Sequence, residues 1–183
     1  MRLSSEAAQF WGTAETERQA SYPCDAYAHK PYRRYLRAVD VDADAAMTFR
    51  WVCQLKVAPY SYDWIDHLGR RSPRTLTPGM DQLAVGQRFM IGRIVDFEPG
   101  RHITAVSTPK ATQLFGSIAL TYQVDPRGAH SRLVVAMTVT ASSAAGRLRR
   151  ELLGWGDLVM MRKQLLTLKR LAEAEQVLKG EAR

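Results

Sequence analysis

Apolar positions along the chain follow two periods. Tyr35, Arg37, Val39 and Val41 alternate with Leu36, Ala38 and Asp40, a period of two that predicts a first strand over 35–41. Beyond it the spacing lengthens. Asp42 is placed to cap a helix reaching about residue 55, with Ala45, Phe49, Val52 and Leu55 along one side. Pro59 interrupts, and Ser61 is placed to cap a second short helix over 62–68, closed by Gly69. After Gly86 the period of two returns. It predicts a strand over 87–97 with Phe89, Ile91, Val95 and Phe97 on one side, then a turn at Glu98-Pro99-Gly100-Arg101. Further strands follow over 102–107 and 116–124. A turn at Asp125-Pro126-Arg127-Gly128 leads to a strand over 132–141, whose Leu133, Val135, Met137 and Val139 share a face. Segment 71–76 reads as a short edge strand. The chain closes in one long helix over 151–178, striped by Leu158, Met161, Leu165, Leu168 and Ala172.

This order predicts an α+β fold: a curved antiparallel sheet wrapped around the long C-terminal helix, with two short helices after the first strand. Such a sheet buries both apolar faces and leaves room for a cavity between them. Residues 1–30, with Phe10 and Trp11 as isolated anchors, read as an N-terminal extension to a domain over 31–183.

Composition narrows the classes. The 183 residues suit one domain, and 46% hydrophobic residues supply a core. No apolar run approaches the ~18 residues of a membrane span, and the start lacks an apolar signal core, so a cytoplasmic protein is expected. Two cysteines cannot form a dense disulfide framework, and four scattered histidines without CxxC or HxxxH spacing exclude a zinc site of the usual kinds. The net charge of +8 includes clusters at His29-Lys30-Pro31-Tyr32-Arg33-Arg34 and Arg147-Leu148-Arg149-Arg150. No helix-turn-helix, zinc finger or RNP motif accompanies it, so specific nucleic-acid binding is not expected. A nucleophile elbow, a phosphate loop and a complete GxGxxG are also missing, and no cofactor is expected.

The segments Pro23-Cys24-Asp25, Arg50-Trp51-Val52-Cys53-Gln54-Leu55, Ala58-Pro59-Tyr60-Ser61-Tyr62-Asp63-Trp64-Ile65-Asp66 and Gly69-Arg70-Arg71-Ser72-Pro73 carry a resemblance, as do Val85-Gly86-Gln87 and Phe115-Gly116. It continues through Trp155-Gly156-Asp157-Leu158-Val159-Met160-Met161-Arg162 and the run from Gln164 to Glu173. Together they resemble the helix-grip fold of the START/polyketide-cyclase superfamily, which includes the birch pollen allergen, and within it a bacterial branch labelled polyketide cyclase/dehydrase. Two positions depart from that branch. Asp44-Ala45 stands in place of Pro-Pro, and His67 in place of asparagine, so no catalytic histidine carries over. The resemblance implies a pocket for a hydrophobic small molecule under the long helix, and no particular reaction.

The richest polar constellation is Tyr60, Tyr62, Asp63, Asp66, His67, Arg70 and Arg71 around Trp64. Asp63 and His67 lie four apart on the predicted helix, so they form either a surface ion pair or a general base at the pocket mouth. Tyr62 and Arg70 join them as candidate catalytic groups. Flanking the last helix, Asp157 and Gln164 either point polar atoms into the cavity or, for Asp157, pair near the helix start. Tyr60, Trp64, Met137, Trp155, Asp157, Met161, Gln164, Leu165 and Leu168 are the expected cavity lining. Leu165 stands mid-stripe. The leading function is binding of an apolar or aromatic molecule. The alternatives are a cyclase/dehydratase-type enzyme and a basic module for an acidic partner.

Overall fold

The computed structural model describes residues 9–61, 72–140 and 144–181, with side chains throughout except at Leu114 and over 144–157. Seven strands form one sheet: β1 (Phe10–Trp11), β2 (Tyr32–Val41), β3 (Arg88–Phe89), β4 (Gly92–Glu98), β5 (His102–Ser107), β6 (Ser117–Arg127) and β7 (His130–Thr140). Their order is β1-β2-β7-β6-β5-β4-β3. All neighbours are antiparallel except β1, which pairs parallel to β2 through Phe10 with Leu36 and Trp11 with Arg37. Among the described residues four α-helices accompany the sheet: α1 (Glu15–Gln19), α2 (Ala45–Cys53), α3 (Pro109–Phe115) and α4 (Ala144–Glu181). The sheet curves around α4, with α2 packed beside it. This is the helix-grip architecture.

Alternation assigns each strand residue to a face. Tyr35, Val39 and Val41 of β2, Ile118, Leu120, Tyr122 and Val124 of β6, and Leu133, Val135, Met137 and Val139 of β7 join the main core with α2 and α4. Leu36, Ala38, Ala119, Val134 and Ala136 fall on the other face and pack with Tyr22 and Cys24 of the N-terminal segment. That segment is a strap across the convex face. The Cys24 amide donates to Thr121 Oγ1 at 2.9 Å and its thiol reaches the Ala136 carbonyl at 3.5 Å. Arg132 fastens the strap, bonding Glu17 through Nε and Nη2 at 2.8 and 2.9 Å and also donating to the Gly12 carbonyl.

Several local expectations change. The cap of α2 is Asp44, whose carboxylate accepts from the Met47 amide at 2.7 Å. Asp42 instead faces Lys169 and His130 at 3.8 and 3.3 Å. The expected strand over 87–97 is a hairpin: Met90, at φ 52°, turns the chain between β3 and β4. A register shift between Ile94 and Asp96 then buries Ile94 rather than Val95, while Ile91 sits exposed at the turn. Residues 72–76 form no strand. Between β5 and β6 lies α3, where only a connection was expected; Thr108 caps it through the Ala111 amide, with Pro109 in its first turn. The turn after β6 is tighter than expected, because Asp125, Pro126 and Arg127 remain paired with Arg132, Ser131 and His130. The last helix starts at Ala144, ahead of residue 151. The helix expected over 62–68 lies outside the described residues.

Candidate functional site

The stripe of α4 turns inward as its spacing predicts. Met161, Leu165, Leu168 and Ala172 are buried in the main core, and Gln164 lies buried beside them. The helix direction is fixed at its far end, where Lys169 Nζ donates to the Asp40 carbonyl at 2.8 Å and Glu173 accepts the Asp42 amide at 2.8 Å. Earlier turns of α4 therefore run toward the start of β6 and the end of β7.

A polar belt crosses this interior. Tyr122 Oη donates to Gln164 Oε1 at 2.5 Å, and Gln164 Nε2 donates to the Pro59 carbonyl and lies 3.5 Å from Met90 Sδ. The Tyr122 hydroxyl is also 3.6 Å from Met161 Sδ, and its ring meets Phe89 edge-on at 5.5 Å. A buried amide must use both its donor and acceptor sides, so this belt fixes α4 against β6 and the 57–60 segment.

The belt separates two unlike ends. Toward Asp40, the inward side chains of Val41, Val124, Leu133, Leu165 and Ala172 are 0% exposed and Val39 is 8% exposed. On the other side Ile118, Leu120, Met137 and Met161 keep 7, 7, 9 and 8% exposure. Those four lie on the side of the belt toward the early turns of α4. On the described strands, the inward positions carry no carboxylate and no imidazole. What the interior offers chemically is apolar surface, the hydroxyl of Tyr122, the guanidinium of Arg37 on β2 and, from α4, the amide of Gln164.

The expected residues separate accordingly. Met137, Met161, Gln164, Leu165 and Leu168 come together under α4, and Tyr60, at φ 53°, packs edge-on to Trp51 at 6.1 Å within the same core. Leu165 and Leu168 are 0 and 1% exposed, on the side of Gln164 toward Lys169 and Asp40. Tyr62, Asp63, Trp64, His67 and Arg70 lie outside the described residues, as do the side chains of Trp155 and Asp157. Tyr122, Met90 and Arg37 were missed as site residues. Arg37 sits at an inward position of β2, is 1% exposed, and donates to the Gln9 and Leu36 carbonyls at 2.7 and 2.9 Å. A charge at an apolar-parity position was the available signal.

Neither thiol is poised as a nucleophile. Burial pushes Cys24 up to about 11 and Cys53 up to about 12, so both stay protonated near neutrality. Among the described residues no cluster of three or more His, Cys, Asp or Glu side chains could hold a metal, and no helix is long and apolar enough to cross a membrane.

No family model and no curated protein matches the chain. Its fold is similar to those of several solved structures. A member of the major latex protein family from Arabidopsis thaliana aligns with TM-score 0.43 and 18% identity, covering 75% of this chain and 94% of that one. A di-domain ARO/CYC from the BE-7585A biosynthetic pathway aligns with TM-score 0.49 and 17% identity, over 77% of this chain and 46% of that one. Another, from the steffimycin biosynthetic pathway, gives TM-score 0.48 and 15% identity, over 82% and 52%. The chain thus spans about half of each di-domain protein. The likeness is one of backbone arrangement, and any ligand or reaction has to be argued from this chain's own residues.

Proposed function

We propose that the protein binds an apolar or aromatic small molecule between the concave sheet face and the early turns of α4, on the Met161 side of the belt. The observation that carries this is a group of four apolar side chains on one side of the belt, Ile118, Leu120, Met137 and Met161, that each keep 7–9% exposure within the core. An apolar lining with a few fixed polar groups is the usual composition of a small-molecule site. Tyr122 and Gln164, joined to each other, would form its inner wall. Tyr60, Leu165 and Leu168 support that wall from behind, and Trp64, Trp155 and Asp157 belong to the proposed lining on sequence grounds. Acid–base turnover, for which Tyr62, Asp63, His67 and Arg70 are the sequence candidates, is no part of the reading.

The test is titration with neutral hydrophobic fluorophores, for which a Kd near ~1 µM, about −8 kcal/mol, is expected. Met161→Trp should abolish binding and leave the melting temperature close to wild type, because the ring enters open space. Leu168→Trp, at the sealed end, should cost about 1–3 kcal/mol of overpacking strain. Absence of saturable binding, or equal destabilisation by both variants, would overturn the proposal.

A further inference from the structure

Outside the interior, the β3–β4 hairpin and α3 enclose a groove of about 330 Å3. Met90, Ile91 and Phe115 give it an apolar surface, with Ile91 41% and Phe115 36% exposed. Arg88, Arg93 and Lys110 line it as well, and none of its lining residues is acidic. Arg88 and Arg93 are directly opposed across the hairpin. Like charges at such a position repel and weaken the pairing, and the usual remedy is a nearby carboxylate. Among the described residues Arg93 donates to the Gly86 carbonyl, at 2.8 Å, and pairs with no carboxylate.

We infer that this groove is a second binding site, for an amphipathic organic anion. A carboxylate head would lie between Arg88, Arg93 and Lys110, and its hydrocarbon tail over Ile91, Met90 and Phe115. Three cations around an apolar strip complement a molecule with one anionic end and one greasy end. A neutral hydrocarbon would leave the cations without a partner, and an inorganic anion would leave the strip exposed. The volume also bears on the occupant. It sits at the low end of the roughly 300–1,000 Å3 of small-molecule sites, whereas a protein partner would need a face of about 800 Å2. Met90 joins the groove to the interior, since its sulfur touches Gln164 of the belt. The groove nevertheless stands independently of the interior reading.

Decanoate and decanamide share a chain and differ in charge, so calorimetric titration of both separates the two sites. Wild type should bind decanoate about tenfold more tightly than the amide, and high salt should erase the difference. Arg88→Glu combined with Lys110→Glu should bring decanoate to the level of the amide and leave amide binding unchanged. The fold is protected in this variant, because Arg88→Glu sets a carboxylate opposite Arg93 and relieves the repulsion. Ile91→Ser with Phe115→Ser should also lower decanoate affinity without altering amide binding. Equal binding of both compounds by wild type would overturn the inference, as would a decanoate preference that survives charge reversal. Failure of the amide alone to bind would count against the interior site and leave the groove standing.

Discussion

On the concave face the inward positions of β7 are Leu133, Val135, Met137 and Val139, while the outward positions between them are Val134, Ala136 and Thr138. On β6 the same contrast sets Leu120 and Tyr122 against Ala119 and Thr121. Both faces are buried, by different partners. Large side chains suit α4, whose axis must stand about 10 Å off a sheet. Small ones let the irregular backbone of the strap lie flush, and their hydroxyls satisfy each other, as Thr104 and Thr121 do at 2.8 Å. Stability should therefore come from apolar burial on one face and from a polar clasp on the other.

Truncation under α4 should have the largest effect. Leu168→Ala, at the sealed end, is expected to cost about 2–5 kcal/mol in urea unfolding, since the site cannot collapse around the void. Met161→Ala should cost less than Leu168→Ala. Equal losses would mean that the belt does not divide the interior.

The clasp comes next. Arg132→Ala leaves the Glu17 carboxylate, 13% exposed, without its partner and should cost on the order of 2 kcal/mol, below the ~3–5 of a fully buried pair. Cysteine labelling near neutral pH should then distinguish the faces. Cys24, whose side chain the strap buries against the sheet, should become at least about tenfold more reactive in Arg132→Ala, while Cys53, in α2, should stay protected. Labelling of both cysteines at one rate would show that strap and core open together.

The pH dependence is smaller. The Arg132 hydrogen bonds hold the Glu17 carboxyl below its ordinary value of 4.5. A depressed carboxyl contributes stability that is fully present above its unfolded value and disappears as pH falls through the folded one. The stability gap between wild type and Glu17→Gln should be constant above pH ~4.5 and close below it. The smallest change is Thr121→Ala, which removes the acceptor of the Cys24 amide and should cost about 1 kcal/mol.

Period-two and 3.6 patterns were enough to read β2, β5, β6, β7 and the stripe of α4, because each buries one face continuously. The β3–β4 hairpin was hidden because Met90, a non-glycine residue at positive φ, turns the chain with no glycine or proline at the corner. Thr108-Pro109 did carry a helix-start signal for α3, and its shortness masked it. At the site, Gln164 was legible as a polar residue beside an apolar stripe. Its partners were not, because the Pro59 carbonyl and Tyr122 are 105 and 42 residues away in sequence, and pairing over such distances is set by the sheet and leaves no local trace.

The clasp between Glu17 and Arg132 spans 115 residues. During synthesis, residues 9–27 leave the ribosome before β6 and β7 exist, so the first described segment to be made is among the last to find its place. Until then the Ala- and Thr-rich sheet face has no cover. The growing chain must pass through an interval in which this convex β surface and its future strap are both free, and any competing segment could settle there first.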